Sequence, residues 1–153
     1  MRGLENRIPP PLVATLFGAL MWLCAQPTLG QELLLSWRSA VALVVLLVGV
    51  VVCLAGVQSF RAARTKVNPL RPDRASSLVS SGIYRVTRNP MYLGFAIVLV
   101  AWSILLAAPL TLLGVAGFVL YMNRFQIAPE ERALAQLFGD EFSGYQARTR
   151  RWL

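Results

Sequence analysis

The stretch that decides the fold lies at residues 80–94 and reads Ser80-Ser-Gly-Ile-Tyr-Arg-Val-Thr-Arg-Asn-Pro-Met-Tyr-Leu-Gly94. A long apolar segment follows it directly and ends at Pro129-Glu130-Glu131. A basic, turn-rich block and an acidic pair therefore flank one hydrophobic unit. If that unit is a membrane hairpin, both flanks emerge on the same side of the bilayer, where they can build one polar site at the membrane surface.

Composition and charge spacing indicate an integral membrane protein. Of the 153 residues, 56% are hydrophobic and only 14% are charged, whereas about a quarter of the residues in a soluble domain are charged. Three long stretches carry no charge, namely those between Arg7 and Glu32, between Arg38 and Arg61, and between Arg88 and Arg124. About 20 apolar residues cross a hydrocarbon core. The first two stretches each fit one helix and the third fits two, which predicts an all-α polytopic membrane protein with four transmembrane helices.

The expected spans lie at about residues 10–25, 37–57, 91–107 and 110–127, and Pro109 turns the last two into a tight hairpin. Gly49 and Gly56 share one face of the second span and favour close helix contact. Residues 58–90 form a long loop, a kind of connection that is often functional. After Pro129 we expect an amphipathic helix that stops at Gly139, within an interfacial region of residues 129–153. The whole chain, residues 1–153, is expected to form a single membrane-embedded domain.

The distribution of positive charge predicts the orientation. The net charge is +8, and the basic residues cluster in the short segments beside the predicted spans. Such clusters favour the cytoplasmic side, so we expect both termini and the 58–90 loop there, in a membrane such as a bacterial inner membrane. This orientation leaves only Arg38, of 15 basic residues, on the outer side. Membrane lipids with anionic head groups therefore match the charge better than nucleic acid does.

Two residue types limit the chemistry. Histidine is absent, which excludes Ser-His triads and most zinc sites, and no metal is expected. The two cysteines, Cys24 and Cys53, both fall within predicted spans, so a disulfide framework is not indicated.

The residues that flank the hairpin suit a zwitterionic ligand. Arg88 carries a fork of donors that fits a carboxylate. Tyr84 and Tyr92 offer aromatic faces with polar tips. Across the hairpin, Glu130 and Glu131 offer hydrogen-bond acceptors. Together these side chains can hold a ligand that carries a carboxylate, an amine and an aromatic ring.

The same motifs resemble a known family. The chain contains, in order, Leu78-Val79-Ser-Ser-Gly82-Ile-Tyr84, Arg88-Asn89-Pro90-Met-Tyr92-Leu-Gly94, an apolar hairpin, Glu130-Glu131, Phe138-Gly139 and Tyr145. This pattern resembles the isoprenylcysteine carboxyl methyltransferase and phospholipid methyltransferase superfamily of integral membrane proteins. The resemblance runs from about residue 66 onward, over more than half of the chain, and the first two spans match only as generic apolar helices.

The resemblance implies a methyltransferase that binds S-adenosylmethionine at the cytosolic membrane face. The cofactor-binding residues that it indicates are Ser77, Leu78, Val79, Gly82, Tyr84, Arg88, Asn89, Pro90, Met91, Tyr92, Glu130 and Glu131. The candidate catalytic residues are Glu130 and Arg124. The acceptor that it implies is a lipid or lipid-like molecule, such as an isoprenylcysteine-type carboxylate, a phospholipid amine or a related small amphiphile.

Two positions depart from the family pattern. Asn89 stands where the family usually has histidine, which keeps hydrogen bonding but removes any titrating role. The prenylcysteine branch tends to carry an arginine about one turn before its acidic pair. This chain has Gln126 at that place, with Arg124 close by, which weakens the expectation of a prenylcysteine carboxylate as the acceptor.

Several alternatives stay open at the level of sequence. An amine acceptor must arrive deprotonated, with Glu130 or Glu131 as its base, whereas a carboxylate acceptor gains from a dry site because charges cancel. The acceptor itself, methylation on oxygen, nitrogen or sulfur, and the oligomeric state are undetermined. A non-catalytic lipid-binding or accessory protein of the same fold is the main alternative function. A small transporter is less favoured, because no membrane-central charge or repeat is visible.

Overall fold

The computed structural model describes residues 5, 7–25, 37–63 and 77–153. Within these ranges the chain is helical, without a named strand, which confirms the all-α prediction for this part of the protein. The elements in order are α1 (Pro10–Ala25), α2 (Trp37–Ala62), a 3-10 turn (Gly82–Arg85), α3 (Pro90–Leu106), a 3-10 turn (Pro109–Thr111), α4 (Leu112–Met122), a π-helical turn (Asn123–Ile127) and α5 (Ala128–Arg148). The middle of the predicted 58–90 loop, residues 64–76, lies outside the described residues.

The apolar helices indicate a membrane protein. Two helical stretches, Trp37–Ala62 and Pro109–Arg148, are long and apolar enough to cross a bilayer, and α1 and α3 are apolar but shorter. The outer surface of α2 exposes large apolar side chains, including Val44, Val51 and Leu54. A soluble protein rarely exposes so continuous an apolar face, whereas lipid can cover it. The number of spans and the side on which the termini lie remain predictions.

Glycines bring α2 and α3 into close contact, as the sequence predicted. A Cβ atom on Gly94 would lie 2.7 Å from the carbonyl oxygen of Gly49 and 2.8 Å from Cys53 Sγ. Two turns further along α2, a Cβ atom on Gly56 would lie 3.0 Å from the Met91 side chain. Small residues let helix backbones approach in lipid, where van der Waals packing replaces the hydrophobic effect as the driving force. The beginning of α3 is therefore fixed against the end of α2.

A second packed region joins α1, α3 and α4. Phe118 and Met122 of α4 and Ile127 of the π-helical turn are fully buried there. The Phe118 ring meets the Phe17 ring of α1 edge to face, with the centroids 6.1 Å apart. Trp102 Nε1 of α3 donates a hydrogen bond to the Gly18 carbonyl of α1 at 3.0 Å. This core holds the α3–α4 hairpin, and thereby places the beginning of α3 beside the beginning of α5.

One predicted boundary was wrong and another was confirmed. Helix α2 continues to Ala62 rather than ending near residue 57, so the first residues of the predicted loop are helical. Gly139 ends the first helical stretch of α5, which confirms the predicted stop, and a second stretch follows as far as Arg148. Its φ of 47° and ψ of −120° form a kink between two helical stretches, in a conformation that glycine adopts without a Cβ clash. Hydropathy marks where a chain leaves the membrane, which differs from where its helix ends.

The predicted fourth span is not one regular helix. A proline lacks the N–H that donates to the residue four positions earlier, and its ring crowds that carbonyl. Pro129 therefore disturbs the helix around Phe125. The chain responds by widening into the π-helical turn, where the Ala128 N–H donates to the Asn123 carbonyl. Single π-turns of this kind are frequent at functional sites.

We expect Gly94→Ala to lower the free energy of unfolding by about 1–3 kcal/mol, because the added methyl group would overpack the α2–α3 contact against backbone atoms that have no room to move. Thermal unfolding of the detergent-solubilised protein measures the change. Gly144→Ala is the matched control, since nothing lies within 4 Å of a Cβ atom at that position. Equal unfolding temperatures for wild type and Gly94→Ala would contradict this packing.

Candidate functional site

The hairpin brings the basic block and the acidic pair together, as the sequence predicted. Tyr92 OH donates to Glu130 Oε2 at 3.1 Å, although the two residues lie 38 positions apart. Arg88 Nη2 donates to Glu131 Oε1 at 2.8 Å across 43 positions. Both contacts join the beginning of α3 to the beginning of α5. The two ends of the apolar hairpin therefore form one polar junction.

Glu131 is held between two guanidinium groups at this junction. Besides Arg88, Arg151 binds it, with Nε 3.1 Å from Oε1 and Nη2 bonded to Oε2. The side chains of Arg88 and Glu131 are only 12% and 15% exposed. Charge-assisted bonds at low exposure are strong. Both Glu131 oxygens are already engaged, so this residue joins the parts of the junction.

Arg88 is engaged in the same way. Its Nη1 donates to the carbonyl oxygens of Thr149 at 2.7 Å and Gln146 at 3.2 Å. The fork that we expected to bind a ligand carboxylate thus binds Glu131 and the end of α5. Arg88 Nε is buried and has no hydrogen-bond partner among the described residues. A direct contact between Arg88 and the cofactor remains a prediction, and Nε is the atom available for it.

The sequence did not reveal that the tail, residues 149–153, folds back onto the block before α3. The Arg88 N–H donates to the Arg150 carbonyl at 3.0 Å. Asn89 Nδ2 and Thr87 Oγ1 both donate to the Arg151 carbonyl, at 3.0 and 3.2 Å. The sequence had predicted only that this tail belongs to an interfacial region. No local signal marks this pairing, because its partners lie about 60 residues apart in the sequence.

The leader, residues 77–89, packs between the end of α2 and the second half of α5. Val79 and Tyr84 are buried against Phe142 and Tyr145. Tyr145 OH donates to the Tyr84 carbonyl at 2.7 Å. Burial raises the pKa of Tyr145 to about 12 and also raises the pKa of Tyr84, so both stay neutral. Gly82 has a φ of +60°, and a Cβ atom there would lie 2.8 Å from Ser59 Oγ of α2.

The remaining predicted cofactor residues lie in the leader, at Ser77 and Leu78, and at the beginning of α3, at Pro90 and Met91. Pro90 and Met91 lie against Gly56 of α2, and the Met91 carbonyl accepts a hydrogen bond from Cys53 Sγ at 3.2 Å. Leu78 packs beside the buried part of the leader. Ser77 Oγ is buried and has no partner among the described residues. Their contacts with a cofactor remain predictions.

Glu130 differs from its neighbour Glu131. It is partly buried, and its described contact is the hydrogen bond from Tyr92. Burial raises the pKa of the Glu130 carboxyl to about 7. The hydrogen bond from Tyr92 lowers this pKa, while the negative charge of Glu131 raises it. Near neutral pH, Glu130 therefore exists in both protonation states. The acidic pair thus divides into one carboxylate fixed in ion pairs and one that titrates.

The candidate catalytic residue Arg124 lies away from this junction, on the π-helical turn Asn123–Ile127. This turn is the elbow between α4 and α5. Its Nη1 donates to Glu5 Oε1 at 3.0 Å, and Arg132 Nη2 donates to Glu5 Oε2 at 2.6 Å. The Arg124 side chain is 51% exposed. In the described part of the chain, no hydrogen bond or ion pair joins Arg124 to Glu130. A catalytic role for Arg124 remains a prediction.

The chain matches the family model described as phospholipid methyltransferase over residues 37–141. This match covers more than half of the 153 residues. The protein therefore belongs to the phospholipid methyltransferase family, which confirms the resemblance drawn from the motifs.

Individual relatives agree with this assignment. The chain is 48% identical to an "Uncharacterized protein" of Haemophilus influenzae over 63 residues, 41% of this chain and 100% of that protein. It is 33% identical to a "Probable protein-S-isoprenylcysteine O-methyltransferase" of Oryza sativa over 110 residues, 70% of this chain and 56% of the relative. It is also 36% identical to "Methanethiol S-methyltransferase 1" of Bradyrhizobium diazoefficiens over 66 residues, 43% of this chain and 22% of the relative. The chain spans about half the length of the isoprenylcysteine methyltransferases it matches. The family and these names support the prediction of a methyltransferase.

The junction fits the polar groups of the cofactor that such a family implies. Glu130 offers a carboxylate without a salt bridge in the described structure. Ser77 Oγ and Arg88 Nε are buried polar atoms without partners there, and unpaired buried donors are costly unless a ligand or water satisfies them. An amino-acid moiety has both a cation for the carboxylate and an anion for the donors. Within the described ranges, no three His, Cys, Asp or Glu side chains form a group that could hold a metal ion.

We expect Glu131→Ala to destabilise the fold by about 2–4 kcal/mol, because it leaves Arg88 and Arg151 partly buried without their counter-charge. Urea unfolding, followed by tryptophan fluorescence, measures the loss. Glu141→Ala is the control, because Glu141 is exposed on the same helix. A loss no greater than that of the control would show that the ion pairs do not hold the junction together.

Proposed function

We propose that this protein is a four-span, single-domain membrane methyltransferase that uses S-adenosylmethionine and acts on a lipid or lipid-like acceptor at the cytoplasmic face. The observation that carries the proposal is the state of Glu130. It is a partly buried carboxylate with no salt bridge in the described structure, held by Tyr92 where α3 meets α5. A carboxylate in that state suits a cationic ligand. Family membership supports the reaction type, and the positive charge beside the spans supports the orientation.

In this proposal the residues of the junction bind and orient. The Glu130 carboxylate accepts hydrogen bonds from the ammonium group of the cofactor, and Tyr92 OH fixes its rotamer. Ser77 Oγ and Arg88 Nε donate to the cofactor carboxylate. The ion pairs of Glu131 with Arg88 and Arg151 hold these groups in place. Such rigid support is what keeps a binding site in its productive geometry.

When bound, S-adenosylmethionine would supply an electrophilic methyl carbon with its sulfonium sulfur as the leaving group. The protein contributes mainly by alignment, which can supply a large share of the rate enhancement. Buried apolar side chains of the α4–α5 elbow, Met122 and Ile127, exclude water beside the junction. An acceptor with a hydrocarbon chain enters sideways from the bilayer between the helices.

A non-catalytic lipid-binding or accessory protein is the second candidate. It is favoured by the use of Arg88 and Asn89 in joining the protein's own segments, since such contacts would hold the fold together without any cofactor. Binding of S-adenosylhomocysteine separates the two functions.

We expect the purified protein to bind S-adenosylhomocysteine, and Glu130→Gln and Tyr92→Phe to weaken this binding about tenfold or more, since each removes part of a charge-assisted contact. Isothermal titration calorimetry in detergent measures the affinities. Glu141→Gln is the control, because it removes one exposed carboxylate from the same helix. A correctly folded wild-type preparation that does not bind S-adenosylhomocysteine would contradict the proposal.

The pH dependence of this binding tests the role of Glu130 separately. Its pKa of about 7 lies above the ordinary value of 4.5, so protons occupy the carboxyl at pH 6 and leave it by pH 8. A cationic ligand selects the deprotonated form, and binding below pH 7 must therefore release a proton. The affinity for S-adenosylhomocysteine should rise about tenfold from pH 6 to pH 8 and then level off. In Glu130→Gln the rise should disappear. An unchanged rise in that variant would assign the titration to another group.

A further inference from the structure

Helices α1 and α2 leave a groove between them. Both helices pack against α3, but they make few contacts with each other. The groove has a volume of about 1010 Å³, is partly open to the surroundings, and has walls from all three helices. Pockets that hold small ligands have volumes of about 300–1,000 Å³. The groove is therefore large enough to hold a ligand of its own.

The walls of this groove suit hydrocarbon. Apart from Thr15 and Ser39, the lining residues are apolar or aromatic in the part of the chain that the structure describes. The Thr15 hydroxyl donates to the Pro11 carbonyl at 3.0 Å, and Trp102 Nε1 donates to the Gly18 carbonyl at 3.0 Å. Water in the groove would find few partners for its hydrogen bonds, whereas an acyl chain needs none.

The length of the groove matches one leaflet of a bilayer. Along α3 its lining runs from Phe95 to Leu105, which corresponds to about 15 Å of helix. Half of the hydrocarbon core of a bilayer is also about 15 Å thick. The polar junction lies at the beginning of α3, whereas Leu105 lies near the end of this helix. The groove therefore reaches the end of the bundle that is remote from the junction.

A cation stands at this remote end. Arg38 lies one turn before Ala42, and both Ala42 and the neighbouring Ser39 line the groove, so Arg38 is on the same face of α2. Its side chain is partly exposed, and no described residue forms an ion pair with it. The predicted topology puts Arg38 alone among the basic residues on that side of the membrane. A guanidinium group there can bind a phosphate through charge-assisted hydrogen bonds.

Two tryptophans indicate that Arg38 lies at the level of the head groups. Trp22, near the end of α1, lines the groove and is 45% exposed. Trp37, the first residue of α2, is 76% exposed. Tryptophan is enriched where the hydrocarbon of a bilayer meets its head groups. A phosphate beside Arg38 would therefore lie at its normal depth in the membrane, while the attached acyl chain follows the groove toward Phe95.

Charge favours a lipid over the helix of a second copy as the occupant of the groove. The apolar helices α1 to α4 contain no acidic residue. None of them could supply a carboxylate to Arg38 if it lay in the groove of a neighbouring molecule. An anionic phospholipid supplies both the negative charge and the hydrocarbon.

We propose that the groove between α1 and α2 is a binding site for an anionic phospholipid. The phosphate of this lipid pairs with Arg38, and one acyl chain lies against Ala19 and Trp102. The lipid is not the methyl acceptor, because its head group lies at the end of the bundle opposite to Glu130. It completes the packing of three helices of which two hardly touch. The site goes beyond the proposed methyl transfer and does not depend on it.

Brominated lipids test the site, because bromine quenches the fluorescence of tryptophans that it contacts, and Trp22 and Trp102 line the groove. The full-length protein, freed of lipid in detergent, is titrated with phosphatidylglycerol that carries bromine on its acyl chains. Phosphatidylcholine with the same chains is titrated in parallel. We expect half-maximal quenching at an about fivefold lower fraction of phosphatidylglycerol, the effect of one cation on an anionic lipid. Identical titration curves for the two lipids would overturn the proposal.

Two arginine variants assign this preference to Arg38. Arg38→Gln should make the phosphatidylglycerol curve coincide with the phosphatidylcholine curve. Arg85→Gln is the matched control, because it removes an exposed positive charge near the junction, and the fivefold difference should persist in it. Equal losses in the two variants would assign the preference to the net charge of the protein and overturn the site.

Filling the groove tests where the acyl chain lies. Ala19 is exposed and lines the groove, so Ala19→Phe should reduce the quenching by both lipids and abolish the rise in unfolding temperature that phosphatidylglycerol causes. Ala40→Phe is the control, since Ala40 is exposed on α2 but does not line the groove. Unchanged quenching in Ala19→Phe would place the lipid elsewhere and refute the proposal.

The mass of the lipid-free protein, measured by light scattering, tests the other occupant. A dimer that Ala19→Phe converts to a monomer would show that a second copy fills the groove, and would overturn the proposal. A monomer in both cases is the expected result. If a variant does not fold, the comparison of the two lipids on the wild-type protein decides.

Discussion

The ion pairs of Glu131 with Arg88 and Arg151 are the interaction on which the polar junction depends. They join the beginning of α3, the beginning of α5 and the tail, three segments that are distant in sequence. Because the Arg88 and Glu131 side chains are only 12% and 15% exposed, solvent screens this pair poorly and breaking it leaves a costly unpaired charge. The Arg151 side chain is 39% exposed, so solvent screens its pair with Glu131 more strongly. The network also leaves Glu130 outside it. Burial raises the pKa of the Glu130 carboxyl to about 7, and no arginine among the described contacts offsets that rise.

The packing of the apolar helices determines where the residues of the junction lie. Close backbone contact at Gly49 and Gly94 fixes α3 against α2, and the core around Phe118 fixes α4 against α1 and α3. With both ends of the hairpin held, Tyr92 reaches Glu130. The π-helical turn, Asn123–Ile127, lies between α4 and Pro129 and precedes the acidic pair. A regular α-helix would orient the side chains of this turn differently, because a π-helical turn contains an extra residue.

Much of the fold and part of the site could be predicted from particular residues. The charge-free stretches located the apolar helices, and the block before Pro90 with the pair after Pro129 located the junction. Other features had no sequence signal. The pairing of Thr87 with Arg150 joins residues far apart in the chain, and the continuation of α2 to Ala62 lies beyond the apolar run that hydropathy detects. The motifs identified both Glu130 and Glu131 but assigned them similar roles, because burial and ion pairing are invisible in a motif.

The sequence by itself determined the class of protein, the helical architecture and the end of the hairpin at which polar chemistry collects. These follow from local properties, namely hydrophobic length, charge spacing and the restrictions that proline and glycine place on the backbone. Only the tertiary structure decided which carboxylate is neutralised by arginines and where Arg124 finds its partner. Those outcomes depend on distances of a few ångströms between residues far apart in the chain, and hydrogen bonding and desolvation both act at that range.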